Sequence, residues 1–135
     1  MTIVRFAAAL AAVSAAVAFG EAVAQQMPPA YSATQAARGA ELYQEKCTLC
    51  HGADLSTGQF GPSLKGTRFK RVWGGKPAAE LFAYMAQNMP PGEAASLSPD
   101  QHADLLAYVL QGNGVAAGSS ELASDPKAIG GTLPQ

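Results

Sequence analysis

The sequence predicts an all-α fold, three main helices with long loops between them, on three observations. Apolar residues recur at three- and four-residue spacing over 33–46, 77–88 and 99–112, the period of an amphipathic helix. Helix-start chemistry precedes each run: Ser32 with Gln35, then Pro77, then Ser98-Pro99-Asp100-Gln101. Between the first and second runs, Gly52, Gly58, Gly61, Pro62 and Gly66 punctuate the chain and mark turns in place of a regular element.

The chain has 135 residues, the size of one small domain. Residues 1–24 stand outside that domain. Arg5 gives a positive start, Phe6 to Phe19 is an Ala, Val, Leu and Phe run broken only by Ser14, and Ala22-Val23-Ala24 is an A-x-A cleavage site. This is the pattern of a secretory signal peptide, cut after Ala24. The rival is a retained membrane anchor, but the run falls short of the roughly 20 apolar residues a spanning helix needs. The Ala-rich leader fits export to a bacterial periplasm, with membrane attachment only if the leader is retained.

Residues 25–32, with Pro28 and Pro29, read as an extended lead-in and not as core. The first helix is expected over about 33–46, where Ala36, Gly39, Ala40, Tyr43 and Cys47 share a face. Gly39 costs roughly 1 kcal/mol against Ala in a helix interior, so its place on the apolar face implies close approach by another backbone.

Both cysteines of the chain follow at once, in Cys47-Thr48-Leu49-Cys50-His51. A C-x-x-C-H run reads as a c-type haem attachment site. Two thiols one helical turn apart can form thioethers with the vinyl groups on one edge of a porphyrin, and the next residue can place a ring nitrogen on the iron. Other readings fit less well. A thioredoxin-like pair calls for a βαβ setting, and a zinc site for a second ligand pair; the only other histidine, His102, stands alone on a helix. A structural disulfide remains as an alternative.

Residues 52–75 read as a loop whose length is unusual in a small domain, unless it packs on a bound ring through Leu55, Phe60, Leu64, Phe69, Val72 and Trp73. A second helix is expected over about 77–88. Met85 lies on its apolar stripe and reads as core. Met89 precedes Pro90 and is therefore pushed out of the helical region, in a rigid loop that can present its sulfur. The third helix starts at the full Ser98 to Gln101 signal and ends at Gly112. His102, among polar neighbours, is expected at the surface. Residues 114–135, rich in Ala, Gly, Ser and Pro without period, read as a flexible or loosely docked tail, or equally as a segment lying across part of the domain.

The net charge is −1 and stays there once the leader, with its Arg5 and Glu21, is removed. That argues against nucleic acid as a partner. Lys65, Arg68, Lys70, Arg71 and Lys76 nevertheless fall in one stretch free of acidic residues, either a solvated loop or a basic rim.

In order along residues 33–113, these features resemble class I cytochrome c, the small cytochrome c fold of three main helices and long loops wrapped around one covalent haem c. The resemblance rests on Cys47, Cys50 and His51, on Gly61-Pro62-Ser63-Leu64 as a Gly-Pro-x-Leu loop, on Met89-Pro90, and on the Gly39/Tyr43 pair facing Leu105 and Tyr108. It implies that the Pro62 carbonyl braces the ligating His51, that Leu64 packs on the haem, and that His51 and Met89 fill the axial positions of the iron. The stretch from Phe69 to Lys76 departs from the family's propionate-binding loop, so Trp73 and Arg71 are candidate haem contacts only.

The function so implied is one-electron transfer between redox proteins, from a periplasmic dehydrogenase towards a terminal oxidase or another cytochrome. The protein would be a carrier or a dehydrogenase's cytochrome subunit, not an enzyme, and would have no small-molecule substrate. The alternative is a haem enzyme or gas-ligand sensor with an open iron site. A domain of about 80 residues has a marginal core of its own, so haem burial is expected to supply much of its stability.

Overall fold

The computed structural model describes residues 27–56 and 58–135. The leader and its cleavage site lie outside the described residues. Five α-helices stand among them: α1 (Ala33–Lys46), α2 (Thr48–His51), α3 (Gly66–Trp73), α4 (Ala78–Asn88) and α5 (Pro99–Gly112). Short 3₁₀ turns occur at Ala94–Ser96 and Pro126–Ala128. There is no β-strand among the described residues, only two isolated bridges. The domain is all-helical, as the sequence predicts. No described helix is long and apolar enough to cross a membrane.

The crossing of α1 with α5 is the frame. Both helices begin where their caps dictate. The Ser98 hydroxyl accepts the Gln101 backbone N–H and the Gln101 side chain accepts that of Ser98, with Pro99 at the first position. At α1 the cap is only half of the expected box. Ser32 accepts the Gln35 backbone N–H, but the Gln35 side chain is buried and bonds the backbone of Leu122 instead, donating at 3.0 Å and accepting at 2.7 Å. Gly39 explains the crossing: a Cβ there would overlap the Asp104 carbonyl of α5 and lie 3.0 Å from the Tyr108 Cβ. One turn on, the Tyr43 and Tyr108 rings meet with centroids 5.2 Å apart. Leu105, Leu106, Val109 and Leu110 of α5 fill the core behind them. α4 adds Ala78, Leu81 and Phe82, while Met85 is half-buried against the same core.

Three expectations are corrected here. The stretch expected to be loop to Gly75 contains α3. Its glycines punctuate the ends, at Gly66 and Gly74, and the Thr-Arg-Phe-Lys-Arg-Val-Trp between them is free to coil and bury Phe69. His102 is buried, not exposed, because Phe82 packs against it and Met89 reaches over it. The C-terminal segment, for which the sequence leaves open a loose tail or a stretch lying across the domain, packs along the domain. It buries Val115, Leu122, Ile129 and Leu133, and its backbone is pinned by Leu133 N–H to the Lys76 carbonyl, Ala78 N–H to the Gly131 carbonyl and Thr132 N–H to the Met27 carbonyl. The lead-in, expected outside the core, also joins it: Tyr31, fully buried, donates its hydroxyl to the Val115 carbonyl. The tail and the lead-in thus brace each other.

Candidate functional site

Cys47 caps α1, its N–H bonded to the Tyr43 carbonyl at 2.9 Å, and at once opens α2. The Cys47 carbonyl then accepts the N–H groups of Cys50 at 3.2 Å and His51 at 2.9 Å. One helical turn therefore carries both thiols and the imidazole. Both cysteines are free and half-buried. Tyr43 ties the turn to the helix crossing by donating its hydroxyl to the Gly52 carbonyl at 2.6 Å.

His51 is 9% exposed, and its ring Nδ1 lies 2.8 Å from the Pro62 carbonyl. A carbonyl only accepts, so Nδ1 carries the proton and Nε2 keeps its lone pair for a metal. Gly61 permits this approach. A Cβ on it would stand 2.7 Å from both Nδ1 and Cε1 of His51, and its N–H bonds the Cys50 carbonyl at 2.8 Å. Leu64, half-buried, is held by its N–H to the Leu55 carbonyl at 2.7 Å and by Asn113, whose side-chain amide donates to the Leu64 carbonyl at 2.8 Å. Asn113 is the C-cap of α5, so the loop after the histidine is clipped to that helix. The sequence ends the third helix at Gly112 and gives no sign of this role for Asn113.

Met89 belongs to a different element. It caps the C-terminus of α4 with extended backbone, φ −125° and ψ 135°, and its side chain is half-buried. Trp73 lies on α3, with its ring 5.4 Å from that of Tyr84 and the Lys76 ammonium 5.0 Å over it. Arg71 is exposed on the same helix. Cys47, Cys50, His51, Pro62 and Leu64 are thus bound into one unit, while Met89, Trp73 and Arg71 belong to α3 and α4.

Burial, and then the charge of Cys50, pushes the Cys47 thiol up to about 11. A redox-active C-x-x-C pair relies on a lowered thiol value to expose a nucleophilic thiolate, so the environment does not suit thiol–disulfide chemistry. Among the described residues there is no group of three or more His, Cys, Asp or Glu side chains that could hold a metal ion. What fits is a haem: two unpaired thiols three residues apart, and a histidine whose tautomer leaves Nε2 available.

An all-helical domain carrying this turn is a cytochrome c domain. Residues 34–109 match the family model described as cytochrome c oxidase, cbb3-type, subunit III. The match covers more than half of the chain, which belongs to this family. The chain is also 34% identical over 83 residues to the cytochrome bc1 complex cytochrome c subunit of Corynebacterium diphtheriae, covering 54% of this chain and 26% of that protein. It therefore spans about a quarter of the length of that relative. No solved structure matches.

Proposed function

We propose that this protein carries single electrons between respiratory redox proteins through one haem c bound to Cys47 and Cys50, with His51 and Met89 as axial ligands. The haem, when bound, supplies the one-electron redox chemistry. The chain's part is to attach it, orient it and keep both axial positions filled. The observation that carries the reading is the His51 Nδ1 contact with the Pro62 carbonyl at 2.8 Å, which leaves Nε2 as the free donor and fixes the ring plane. Leu64 would pack on the haem face, and Trp73 and Arg71 are the candidates for its propionates. His/Met ligation raises the reduction potential, which suits a relay from a dehydrogenase or bc1-type donor towards an oxidase. The names of the matched family and relative, both respiratory-complex subunits, favour such partners. With a leader cut after Ala24, the protein would work in the periplasm.

The ligand assignment is tested by Met89→Ala beside Met85→Ala in the haem-loaded protein. Met89→Ala is expected to lower the reduction potential and to let carbon monoxide bind the reduced protein, with Met85→Ala close to wild type on both. The reverse pattern would place the sulfur ligand at Met85.

A further inference from the structure

Resting on Met89 as the second axial ligand, we propose that His102 is the positioning residue that holds this ligand in place. His102 sits in the second turn of α5, yet it is 2% exposed. Its Nδ1 lies 3.0 Å from the Ser98 carbonyl and its Nε2 3.4 Å from the Met89 carbonyl. Met89 and Ser98 bound the segment that leads from the end of α4 to the start of α5, so one imidazole reaches both ends of the ligand loop. The Phe82 ring of α4 meets it edge-on, centroids 6.3 Å apart, and closes the space in which it could swing.

The two facing atoms are both carbonyl oxygens, which only accept. The Ser98 carbonyl already takes the His102 backbone N–H at 3.1 Å. A neutral imidazole has one ring proton for these two oxygens, and we place it on Nε2, facing Met89. On its other side, the Met89 backbone N–H is bonded to the Met85 carbonyl at 2.9 Å. With its N–H tied to α4 and its carbonyl tied to α5, Met89 has a fixed Cα and only side-chain torsions left to set. A thioether is a weak, neutral ligand on a flexible stem, so holding its origin is what keeps the position closed. His102 touches neither haem nor iron in this scheme; it acts through the Met89 backbone.

The test uses the haem-loaded full chain with His102→Phe, which keeps a ring but no donor, and His102→Gln, which can still donate. Two readouts follow the sulfur ligand: the sulfur-to-iron charge-transfer absorption of the oxidised protein and the rate of carbon monoxide binding to the reduced protein. His102→Phe is expected to weaken the absorption and to speed carbon monoxide binding about tenfold or more, and His102→Gln to recover most of the difference. Met89→Ala runs in parallel. If Met89→Ala abolishes the absorption while His102→Phe matches wild type on both readouts, the inference on His102 is wrong and the ligand assignment stands. If Met89→Ala leaves the absorption intact, the ligand assignment fails and the inference with it. Nitrogen NMR of the wild-type protein gives a check that depends on no variant: the proton of neutral His102 is expected on Nε2, and a proton found on Nδ1 would overturn the proposal.

Discussion

The two sides of this small domain are held by different means. On one side, α1, α5 and the C-terminal segment pack protein against protein: Tyr43 is 1% exposed, Leu106 and Leu110 fully buried, Leu133 1%. On the other side, Cys47, Cys50, Leu64 and Met89 are only half-buried, and Leu49 and Phe60 stand 79% and 74% exposed. That side is fixed by single polar pins, His51 to Pro62, Asn113 to Leu64 and His102 to Met89. The difference shows a division of labour. Apolar packing builds a rigid frame, and hydrogen bonds hold a few groups on that frame where, on the proposed reading, a haem's own faces would complete the packing.

The comparison can be broken at several points. The largest effect is expected from Cys47→Ala with Cys50→Ala, which removes covalent attachment. A domain this small has a marginal core, so this variant is expected to lose most of its helical circular dichroism. Full native helix would show that the packed side stands alone. Next comes Tyr43→Ala, which removes both the ring contact with Tyr108 and the bond to Gly52. By analogy with buried Phe→Ala it should cost about 3–5 kcal/mol in denaturant unfolding of the haem-loaded protein. Leu133→Ala tests whether the C-terminal segment belongs to the packed side. About 2–3 kcal/mol is expected, the low end for a buried leucine because the segment lies at the edge, and no loss would return it to the status of a loose tail.

The smallest effect is a pH dependence. Burial holds the Tyr43 phenol above its ordinary value. A raised value in the folded state means stability that is complete below the ordinary phenol value of about 10 and is lost as pH rises through the folded one, because the unfolded chain ionises first. Tyr43→Phe should therefore flatten the alkaline limb of a stability-against-pH curve. At neutral pH it should cost about 1 kcal/mol for the lost hydrogen bond.

How much could be read in advance follows from how local each signal is. The starts of α1 and α5 were legible because their caps, Ser32 and Ser98, act within three residues. Gly39 foretold a close backbone, and Asp104 is that backbone. The Cys47 to His51 turn was legible because the chemistry demands that spacing. What escaped was non-local. α3 was hidden by glycines that end it and do not interrupt it. The packing of the C-terminal segment depends on partners such as Gln35 for Leu122 and Lys76 for Leu133, and no periodicity announces a strap held by its backbone. His102 looked exposed on its own helix because its cover, Phe82 and Met89, comes from α4 and the loop that follows it. Asn113, just past the expected helix end at Gly112, was not legible as the clip on Leu64.

The most direct test of the central claim is the visible spectrum of the purified protein, oxidised and reduced, with carbon monoxide added to the reduced sample. A covalent haem held by His51 and Met89 predicts sharp reduced c-type bands that carbon monoxide leaves unchanged. Bands that shift with carbon monoxide would show an open iron and contradict Met89 as a closing ligand; a colourless protein would contradict the account as a whole.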